Sequence, residues 1–314
     1  MRWMALYSCV PSRKGRGERY HVRMSNAVSP PILKFVPDAD TPQLGTFAGL
    51  PAVRVHDLQG ASAVVLLHGA HVVSWVDATG SERLYLSPWS KFQAGTAVRG
   101  GIPVIFPQFS TQGPLPRHGL ARTREWVLTQ CEGESARFTF TSDASTLGVW
   151  PFEFACELHV ALVSDGLDVQ LTVHNHSAQA FSFAAALHTY LAIPAFEGAS
   201  LEGLQGCAFT DAHSTQAQRE LAPLLRFSEP LDRVYYDLEH PLTLRSQSTA
   251  LDVSQQGFVD AVVWNPGPEG AAQTPDFAPD AHTHFVCVEA AAIGHPPALK
   301  PGGQWQGSQR LRRI

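Results

Sequence analysis

The sequence predicts an all-β fold, specifically a large antiparallel β-sandwich. Beyond Pro51, apolar residues alternate with polar ones at period two, and long runs with helical periodicity are scarce. The alternating segments are separated by turn-forming residues, and the chain contains 25 glycines and 23 prolines. Because strands do not alternate with helices, a doubly wound parallel sheet is disfavoured and a sandwich is favoured.

The N-terminal segment differs from the rest of the chain. Residues 1–30 carry a basic cluster between Arg13 and Arg19 and show no apolar periodicity. We therefore expect residues 1–30 to be a disordered extension and residues 31–314 to form a single domain. Met24 is a candidate for the natural start of the protein.

Composition excludes several classes of protein. The formal net charge of −5 gives no basic field of the kind that nucleic acid attracts. No apolar run reaches the roughly 18 residues of a membrane span. The five cysteines are odd in number and include no C-x-x-C pair, which fits a reducing compartment. We expect a cytoplasmic monomer that binds neither nucleic acid nor membrane.

The alternating pattern places the strands in order along the chain. The clearest pair is residues 152–162 and residues 167–173, with the turn signal Ser164-Asp165-Gly166 between them, which together predict a β-hairpin. Residues 271–281 are rich in Pro, Asp and Ala and predict a surface loop. The remaining predicted strands are 63–67, 72–76, 137–141, 181–193, 259–264 and 284–289.

A histidine lies within the apolar run FSFAAALHTYLAI. Strand alternation places His188 on the face that carries Ala184, Ala186 and Tyr190. The alanines leave space beside the imidazole, as a binding cleft requires. The alternative is a histidine that is buried in the core with its hydrogen bonds satisfied.

A glutamate interrupts the apolar strand HFVCVEAAA. Glu289 shares a face with Phe285 and Cys287, and a glutamate is rarely fully buried without a partner. Its carboxylate therefore either forms a structural ion pair or acts as a base whose pKa is set by its surroundings.

Two arginine-containing segments suggest a site for an anion. Arg99 precedes Gly100-Gly101 in AVRGGIPVIFPQF, and the segment RHGLAR contains His118 and Arg122. Glycines let a backbone approach a ligand closely, and guanidinium groups donate paired hydrogen bonds to phosphate. The alternative is that both arginines are solvated loop residues.

The common motifs for nucleotides, hydrolysis and zinc are absent. The sequence contains no P-loop, G-x-G-x-x-G, G-x-S-x-G or H-E-x-x-H. His68 and His71 are close in sequence, as are His282 and His284, but neither pair has a carboxylate or cysteine companion at zinc-site spacing. We therefore predict neither a metal site nor a cofactor.

Taken together, eight segments resemble the hexose-6-phosphate mutarotase branch of the aldose 1-epimerase family, over nearly all of the chain from about Leu44. The resemblance implies a β-supersandwich of the galactose mutarotase type and cofactor-free catalysis at a cleft on one sheet. The segments are LLHGAHVVSW, VRGGIPVIFPQF, LPRHGLARTREW, ALHTYLAI, LDRVYYD, VVWNP, FVCVEAA and GGQWQGSQRL.

The resemblance also implies roles for individual residues. The acid-base pair of the family corresponds to His188 and Glu289, and the arginines associated with the sugar phosphate correspond to Arg99 and Arg122. The further substrate-binding positions correspond to His118 and to Asp232, which could instead only pair with Arg233.

The sequence departs from its relatives in two of these segments. Many relatives have WPWFG where this chain has FPQFS, and CVEAANA where it has CVEAAAI. We expect Gln108 to replace a ring-stacking or packing contact with a hydrogen bond and thereby to alter the preferred sugar.

The function that the resemblance implies is the interconversion of the α and β anomers of a hexose 6-phosphate. Glu289 would act as the base toward O1 and His188 as the acid toward O5, with a nearby carboxylate or the substrate phosphate raising the pKa of His188. Two alternatives remain: a mutarotase for free aldoses such as galactose, and a non-catalytic carbohydrate-binding module on the same fold.

Overall fold

Strands account for most of the regular structure in this computed structural model. The structure describes residues 33–314 except 213, 215, 228, 229 and 248. The expected extension over residues 1–30 therefore lies outside the described residues, and its boundary stays a prediction. Two α-helices occur in the described part, α1 (Ala144–Leu147) and α2 (Gly267–Gln273). No helix there is long and apolar enough to cross a membrane.

The strands are numbered in chain order. The first twelve are β1 (Phe35–Pro37), β2 (Leu44–Phe47), β3 (Leu50–His56), β4 (Ser62–Leu66), β5 (Val72–Val76), β6 (Val104–Ile105), β7 (Val127–Glu132), β8 (Ser135–Thr141), β9 (Phe154–Val163), β10 (Gly166–Asn175), β11 (Phe181–Ser182) and β12 (Ala185–Leu187). The others are β13 (Tyr190–Ala192), β14 (Ser200–Glu202), β15 (Ala208–Asp211), β16 (Gln218–Arg219), β17 (Leu224–Arg226), β18 (Leu231–Tyr236), β19 (Leu242–Ser246), β20 (Thr249–Gln256), β21 (Asp260–Asn265), β22 (Phe285–Ala292), β23 (Ala298–Leu299) and β24 (Gln304–Arg313).

Antiparallel pairing joins these strands into sheets, which confirms the predicted all-β class. Strands β1 to β5 form a five-stranded sheet in chain order, and β11 pairs with β23. The nine-stranded sheet has the order β17-β14-β19-β20-β24-β10-β9-β8-β7. The eight-stranded sheet has the order β16-β15-β18-β21-β22-β12-β6, and β13 also pairs with β22.

The predicted hairpin is confirmed as β9 and β10. The two strands pair from Val163 opposite Gly166 to Phe154 opposite Asn175, so the turn between them has two residues. One of these, Asp165, has a φ of 62°, a left-handed conformation that aspartate tolerates better than most residues.

Residues of the three large sheets form one apolar core. Only one face of β22 packs against this core. Val286 and Val288 of β22 belong to this core, whereas Phe285 and Cys287 pack with Tyr190 in a separate cluster. The alternation predicted for this strand is therefore confirmed. It places Glu289, two residues after Cys287, on the face of the eight-stranded sheet that points away from the core.

Two segments differ from their predicted structure. The single strand expected over residues 181–193 is three short strands, with a break at His188-Thr189. The surface loop expected over residues 271–281 begins in α2 and buries Phe277, of which 2% is exposed. Phe277 stacks on Phe285 with ring centroids 5.4 Å apart. The aromatic ring of Phe277 therefore anchors this segment against the outer face of β22, which the segment covers.

Candidate active site

His188 and Glu289 meet on the outer face of the eight-stranded sheet. Leu187 of β12 lies opposite Ala290 of β22, so the next residue, His188, lies opposite Glu289. The Nε2 atom of His188 is 3.2 Å from Oε1 of Glu289. Both side chains are buried, with 7% of His188 and 1% of Glu289 exposed. Neighbouring strands thus bring together two proton-carrying groups that are 101 residues apart in the chain.

Aromatic rings hold the imidazole of His188. The ring of Tyr190 stacks on it at a centroid distance of 4.8 Å and an interplanar angle of 10°. Trp264 contacts it edge-on at 5.9 Å, and the ring of His118 does so at 5.5 Å. These contacts restrict rotation of the imidazole and so fix the direction in which Nε2 points.

The pair lines a cavity of about 160 Å³. This volume is below the ~300–1,000 Å³ of pockets for drug-sized ligands, so the cavity suits a part of a small molecule such as one sugar ring. Six of the seven residues that the sequence nominates line this cavity: Arg99, His118, Arg122, His188, Asp232 and Glu289.

Three arginines line the same cavity and make it cationic. Nη1 of Arg99 donates to the hydroxyl of Tyr190 at 3.2 Å, and its Nε lies 3.3 Å from the Asp276 carboxylate. Nη2 of Arg122 donates to the carbonyl of Arg117 at 2.9 Å, while Nε of Arg122 has no hydrogen-bond partner among the described residues. The third is Arg117, an exposed residue at the rim.

Gly100 and Gly101 approach backbone atoms of the protein itself, which corrects the expectation that they approach a ligand. A Cβ atom at Gly100 would lie 2.3 Å from the carbonyl oxygen of Tyr85, and one at Gly101 would lie 2.2 Å from that of Val72. The φ values are 104° and 64°, which only glycine adopts readily. The two glycines therefore allow close backbone packing that holds the Arg99 segment in place.

Burial sets the protonation of the pair. It lowers the pKa of the His188 imidazole well below its usual range, and His118 and the arginines lower it further. It raises the pKa of Glu289 well above its usual range, and the Asp232 carboxylate adds to this effect. The expectation that a carboxylate raises the pKa of His188 is therefore wrong for the protein's own groups. Burial favours a neutral imidazole beside a neutral carboxylic acid.

His118 is a second neutral imidazole in the site. Burial and the charges of Arg122 and Arg117 lower its pKa to about 3. Its Nδ1 accepts a hydrogen bond from the backbone N–H of Ser110 at 3.3 Å. Its backbone has a φ of 66°, an uncommon conformation for a residue with a side chain, and such conformations concentrate at functional sites.

The sequence of this chain is similar to those of known proteins. The sequence pattern of the family described as aldose 1-epimerase matches residues 51–312. The chain belongs to this family. A relative from Cenchrus ciliaris, provisionally named glucose-6-phosphate 1-epimerase, is 31% identical over 285 residues, which are 86% of each chain. A relative of the same provisional name from Escherichia coli is 31% identical over 246 residues, or 76% of this chain and 82% of the relative.

Solved structures show the same architecture. A protein from Salmonella typhimurium, provisionally named a mutarotase, superposes with a TM-score of 0.80 at 27% identity and covers 90% of this chain and 97% of its own. A galactose mutarotase related enzyme from Lactobacillus acidophilus gives a TM-score of 0.68 at 19% identity, with 84% and 97% covered. The sheets of this chain are thus the galactose mutarotase-like fold that the sequence resemblance implied.

Gln108 lies apart from the cavity in this aldose 1-epimerase family member. Its Nε2 donates to the carbonyls of Ser110 and Leu115, and its Oε1 accepts from the N–H of Leu115. Since the amide is occupied within its own loop, we propose no substrate contact for Gln108. The loop that contains FPQFS does lie beside the site, but the side chain of Gln108 does not line the cavity.

One group of metal-ligand atoms exists among the described residues. A ring nitrogen of His188, Sγ of Cys287 and a carboxylate oxygen of Glu289 lie within 4.8 Å of one another. Such a set suits zinc. A metal would compete with proton transfer for the same two residues of the pair. Two of the four histidines considered from sequence contact backbone carbonyls: Nε2 of His68 contacts that of Thr96, and Nε2 of His71 contacts that of Gly100.

Sequence reasoning assigned no role to four residues that frame the site. Tyr190 and Trp264 were within recognised segments, and their aromatic character was the available signal. Asp276 could not have been found, because it follows Arg99 by 177 positions and lies in a segment expected to be solvated. Phe277 could not have been found either, because it lies in the same segment.

Proposed function

We propose that this protein is an isomerase that interconverts the α and β anomers of a hexose 6-phosphate, with glucose 6-phosphate as the first candidate. One observation carries the proposal: a buried His-Glu contact and three arginines line a single cavity. The family supports a sugar as the substrate, and the provisional names of the relatives support its phosphate ester.

The chemistry needs two proton carriers. The anomeric hydroxyl must lose a proton while the ring oxygen gains one, which opens the ring to an aldehyde that recloses on either face. We assign Glu289 to the anomeric oxygen O1 and His188 to the ring oxygen O5, with the roles reversed on closure. Oε2 of Glu289 and Nδ1 of His188 are buried and have no hydrogen-bond partner among the described residues, so the hydrogen-bonding capacity of each group is not used up by their mutual contact.

The 3.2 Å contact lets the pair reach its working form. Moving one proton from the carboxylic acid to the imidazole converts the neutral pair into a carboxylate base and an imidazolium acid. Burial opposes this charged form. A phosphate dianion beside the arginines would offset the positive charges that lower the pKa of His188. Phosphate binding would thereby favour the acid that O5 requires.

The arginines are suited to the phosphate. Guanidinium groups make charge-assisted, often bidentate hydrogen bonds to phosphate oxygens. Burial lowers the pKa of Arg122 to about 10, which leaves it charged at neutral pH. Arg122 lines the cavity, and its buried Nε has no partner among the described residues. His118 and Asp232 line the same cavity, and we assign them to sugar hydroxyls.

We also propose a cytoplasmic location and a monomeric state. The sugar phosphate would be a small-molecule substrate, with neither nucleic acid nor membrane as a partner. A hexose phosphate carries charge and is therefore retained where it is formed, which fits a compartment with reduced cysteines. Sedimentation of the purified full chain tests the monomer, and a concentration-dependent dimer would contradict it.

The test measures anomerisation of several sugars side by side. Freshly formed α-glucose 6-phosphate is followed with a coupled assay that consumes only the β anomer, and glucose and galactose are followed by polarimetry. We expect acceleration of the phosphate ester far above that of either free sugar. Acceleration of free sugars alone would assign the protein to free aldoses. No acceleration of any sugar would leave only a binding role and overturn the proposal.

A further inference from the structure

A buried amide lies between the two large sheets. Gln309 belongs to β24 of the nine-stranded sheet, and only 1% of it is exposed. The inward residue two positions along the same strand is the apolar Leu311, which is fully buried in the core. A buried amide costs free energy unless its donors and acceptor are used. The buried amide of Gln309 is therefore expected to form hydrogen bonds with other buried groups.

The amide reaches across the core to the strands that carry the proposed catalytic pair. The hydroxyl of Thr189 donates to Oε1 of Gln309 at 2.5 Å, and Nε2 of Gln309 donates to the carbonyl of Val288 at 2.9 Å. Thr189 directly follows His188, and Val288 directly precedes Glu289. One side chain from the opposite sheet thus bridges the hydroxyl of Thr189 and the carbonyl of Val288, the two residues next to the pair.

The hydrogen bonds of Gln309 to Thr189 and Val288 are called the tie below. The strand register shows how these two residues lie relative to each other. Leu187 lies opposite Ala290, and three residues later Tyr190 lies opposite Cys287, three residues earlier on β22. The register therefore continues unbroken across the break between β12 and β13. It sets Thr189 opposite Val288.

The tie replaces a missing backbone hydrogen bond. The N–H of Val288 donates to the carbonyl of Thr189 at 3.0 Å, but the N–H of Thr189 donates to the carbonyl of Leu187 at 2.9 Å. In a regular antiparallel pair the N–H of Thr189 would bond the carbonyl of Val288. Nε2 of Gln309 supplies the donor that this carbonyl would otherwise lack.

We propose that Gln309 is a positioning residue for the His188-Glu289 pair. Its amide holds the kinked backbone at Thr189 against β22 and thereby sets how Nε2 of His188 meets the carboxylate of Glu289. The inference rests on the proposed function for its kinetic consequence. Its structural consequence, the placement of the His188 ring, is independent of the substrate.

The test compares substitutions that remove the tie with one that removes only packing. Gln309→Leu keeps the approximate size of the side chain without its hydrogen bonds, and Thr189→Val removes only the hydroxyl. Thr189→Ser keeps the hydroxyl and serves as the rescue. Leu311→Ala is the matched control, because it creates a cavity on the same face of β24 and leaves the hydrogen bonds of Gln309 to Thr189 and Val288 in place.

We expect Gln309→Leu and Thr189→Val to lower kcat for glucose 6-phosphate by about 10- to 100-fold, since displacements near 1 Å can have effects of this size. KM should stay within about twofold, and Thr189→Ser should retain most of kcat. Leu311→Ala should lower the unfolding midpoint but leave kcat near that of the wild type. If the tie-removing variants lose only stability, as the control does, the positioning role is overturned.

A second measurement separates this inference from the proposed function. The ¹⁵N chemical shifts of the His188 imidazole report its hydrogen bonding without any substrate. They should change in Gln309→Leu and Thr189→Val and remain unchanged in Leu311→Ala. Unchanged shifts in both tie-removing variants would overturn the inference even if the protein is an active isomerase. Should Gln309→Leu fail to fold, Thr189→Val alone decides between the two outcomes.

Discussion

The contact between His188 and Glu289 determines how protons can move in the cavity. Each side chain is buried and faces the other at 3.2 Å, so the charged form of either one is costly without the other. Their titration therefore belongs to the pair. Loss of one member should disable both, because the remaining group has no proton partner.

We predict that Glu289→Gln and His188→Asn each lower kcat by about 10²- to 10⁴-fold, the usual contribution of a positioned acid or base. The double variant should lose little more than the poorer single variant, because the two residues act as a unit. Glu269→Gln, the same change at an exposed position of α2, is the control and should keep full activity. Near-normal turnover by either single variant would contradict the assignment.

The arginines should discriminate between phosphorylated and free sugars. We predict that Arg99→Ala and Arg122→Ala lower kcat/KM for glucose 6-phosphate by about 10- to 100-fold, since a hydrogen bond to a charged group contributes roughly 1.5–3 kcal/mol. Any activity on glucose should change little. Arg124→Ala, outside the cavity lining, is the matched control. Equal losses on both sugars would refute the phosphate role.

At the scale of residues, the sequence was informative where a polar side chain interrupted an apolar strand. His188 and Glu289 were singled out as candidates on that basis, the family resemblance implied their role as an acid-base pair, and the structure places them in contact. The sequence could not give the direction of a side chain in an irregular loop, which is why Gln108 was expected at the substrate. It also could not give contacts such as Arg99 to Asp276, which depend on pairing across the whole chain.

At the scale of elements, the segment after α2 lies beside the site and contacts Arg99. Asp276 contacts Arg99, and the ring of Phe277 lies 5.0 Å below the same guanidinium. Thr274 lines the cavity as well. This segment therefore links the packing on β22 to the position of a phosphate-binding candidate.

We predict that Phe277→Ala raises KM for glucose 6-phosphate several-fold, because the segment loses its anchor and Arg99 loses its cation–π contact. The free energy of unfolding should fall by about 3–5 kcal/mol, as for other buried phenylalanines. Phe209→Ala is the control: that ring is 5% exposed, packs on Arg233, and is not in the cavity lining. It should lose similar stability with an unchanged KM. A raised KM in both variants would contradict a specific role for the segment.

The elements differ in how well the sequence anticipates them. The hairpin of β9 and β10 followed from alternation and a turn signal, both of which are local. The break at His188-Thr189 was missed because the register of β12 and β13 against β22 continues through it, so alternation persists in the sequence. The covering segment was missed because its composition resembles a solvated loop, although one aromatic residue anchors it.

At the scale of the whole molecule, buried neutral histidines make stability depend on pH. Burial lowers the pKa of His71 to about 3 and that of His118 to about 3. Between pH 6.5 and pH 3 the unfolded chain therefore binds more protons at these positions than the folded one, and stability falls as pH falls. Glu289 acts in the opposite direction, because its pKa is raised in the folded protein.

We predict that the free energy of unfolding decreases from pH 7 to pH 5 by about 2 kcal/mol for each of these two histidines. His71→Gln should reduce this decrease by about 2 kcal/mol, while Gln can still donate to the carbonyl that His71 contacts. Denaturant titrations of both proteins at the two pH values measure the difference. An identical decrease in the variant would show that His71 does not titrate as described.

The class of the fold was accessible from sequence, but the order of its strands was not. Period-two alternation reports that a strand has one buried face, and it carries no information about which strand lies beside it. The last strand, β24, lies between β20 and β10 in the nine-stranded sheet. That placement brings Gln309 to Thr189 and Val288, next to the proposed catalytic pair, and no local pattern predicts it.

The most direct test of the central claim is magnetisation exchange between the anomeric protons of glucose 6-phosphate at equilibrium. It measures interconversion of the two anomers without a coupling enzyme. With the wild-type protein we predict exchange well above the spontaneous rate, and with Glu289→Gln at the same concentration a return close to that rate. Equal exchange with both proteins would contradict the claim that the His188-Glu289 pair carries the reaction.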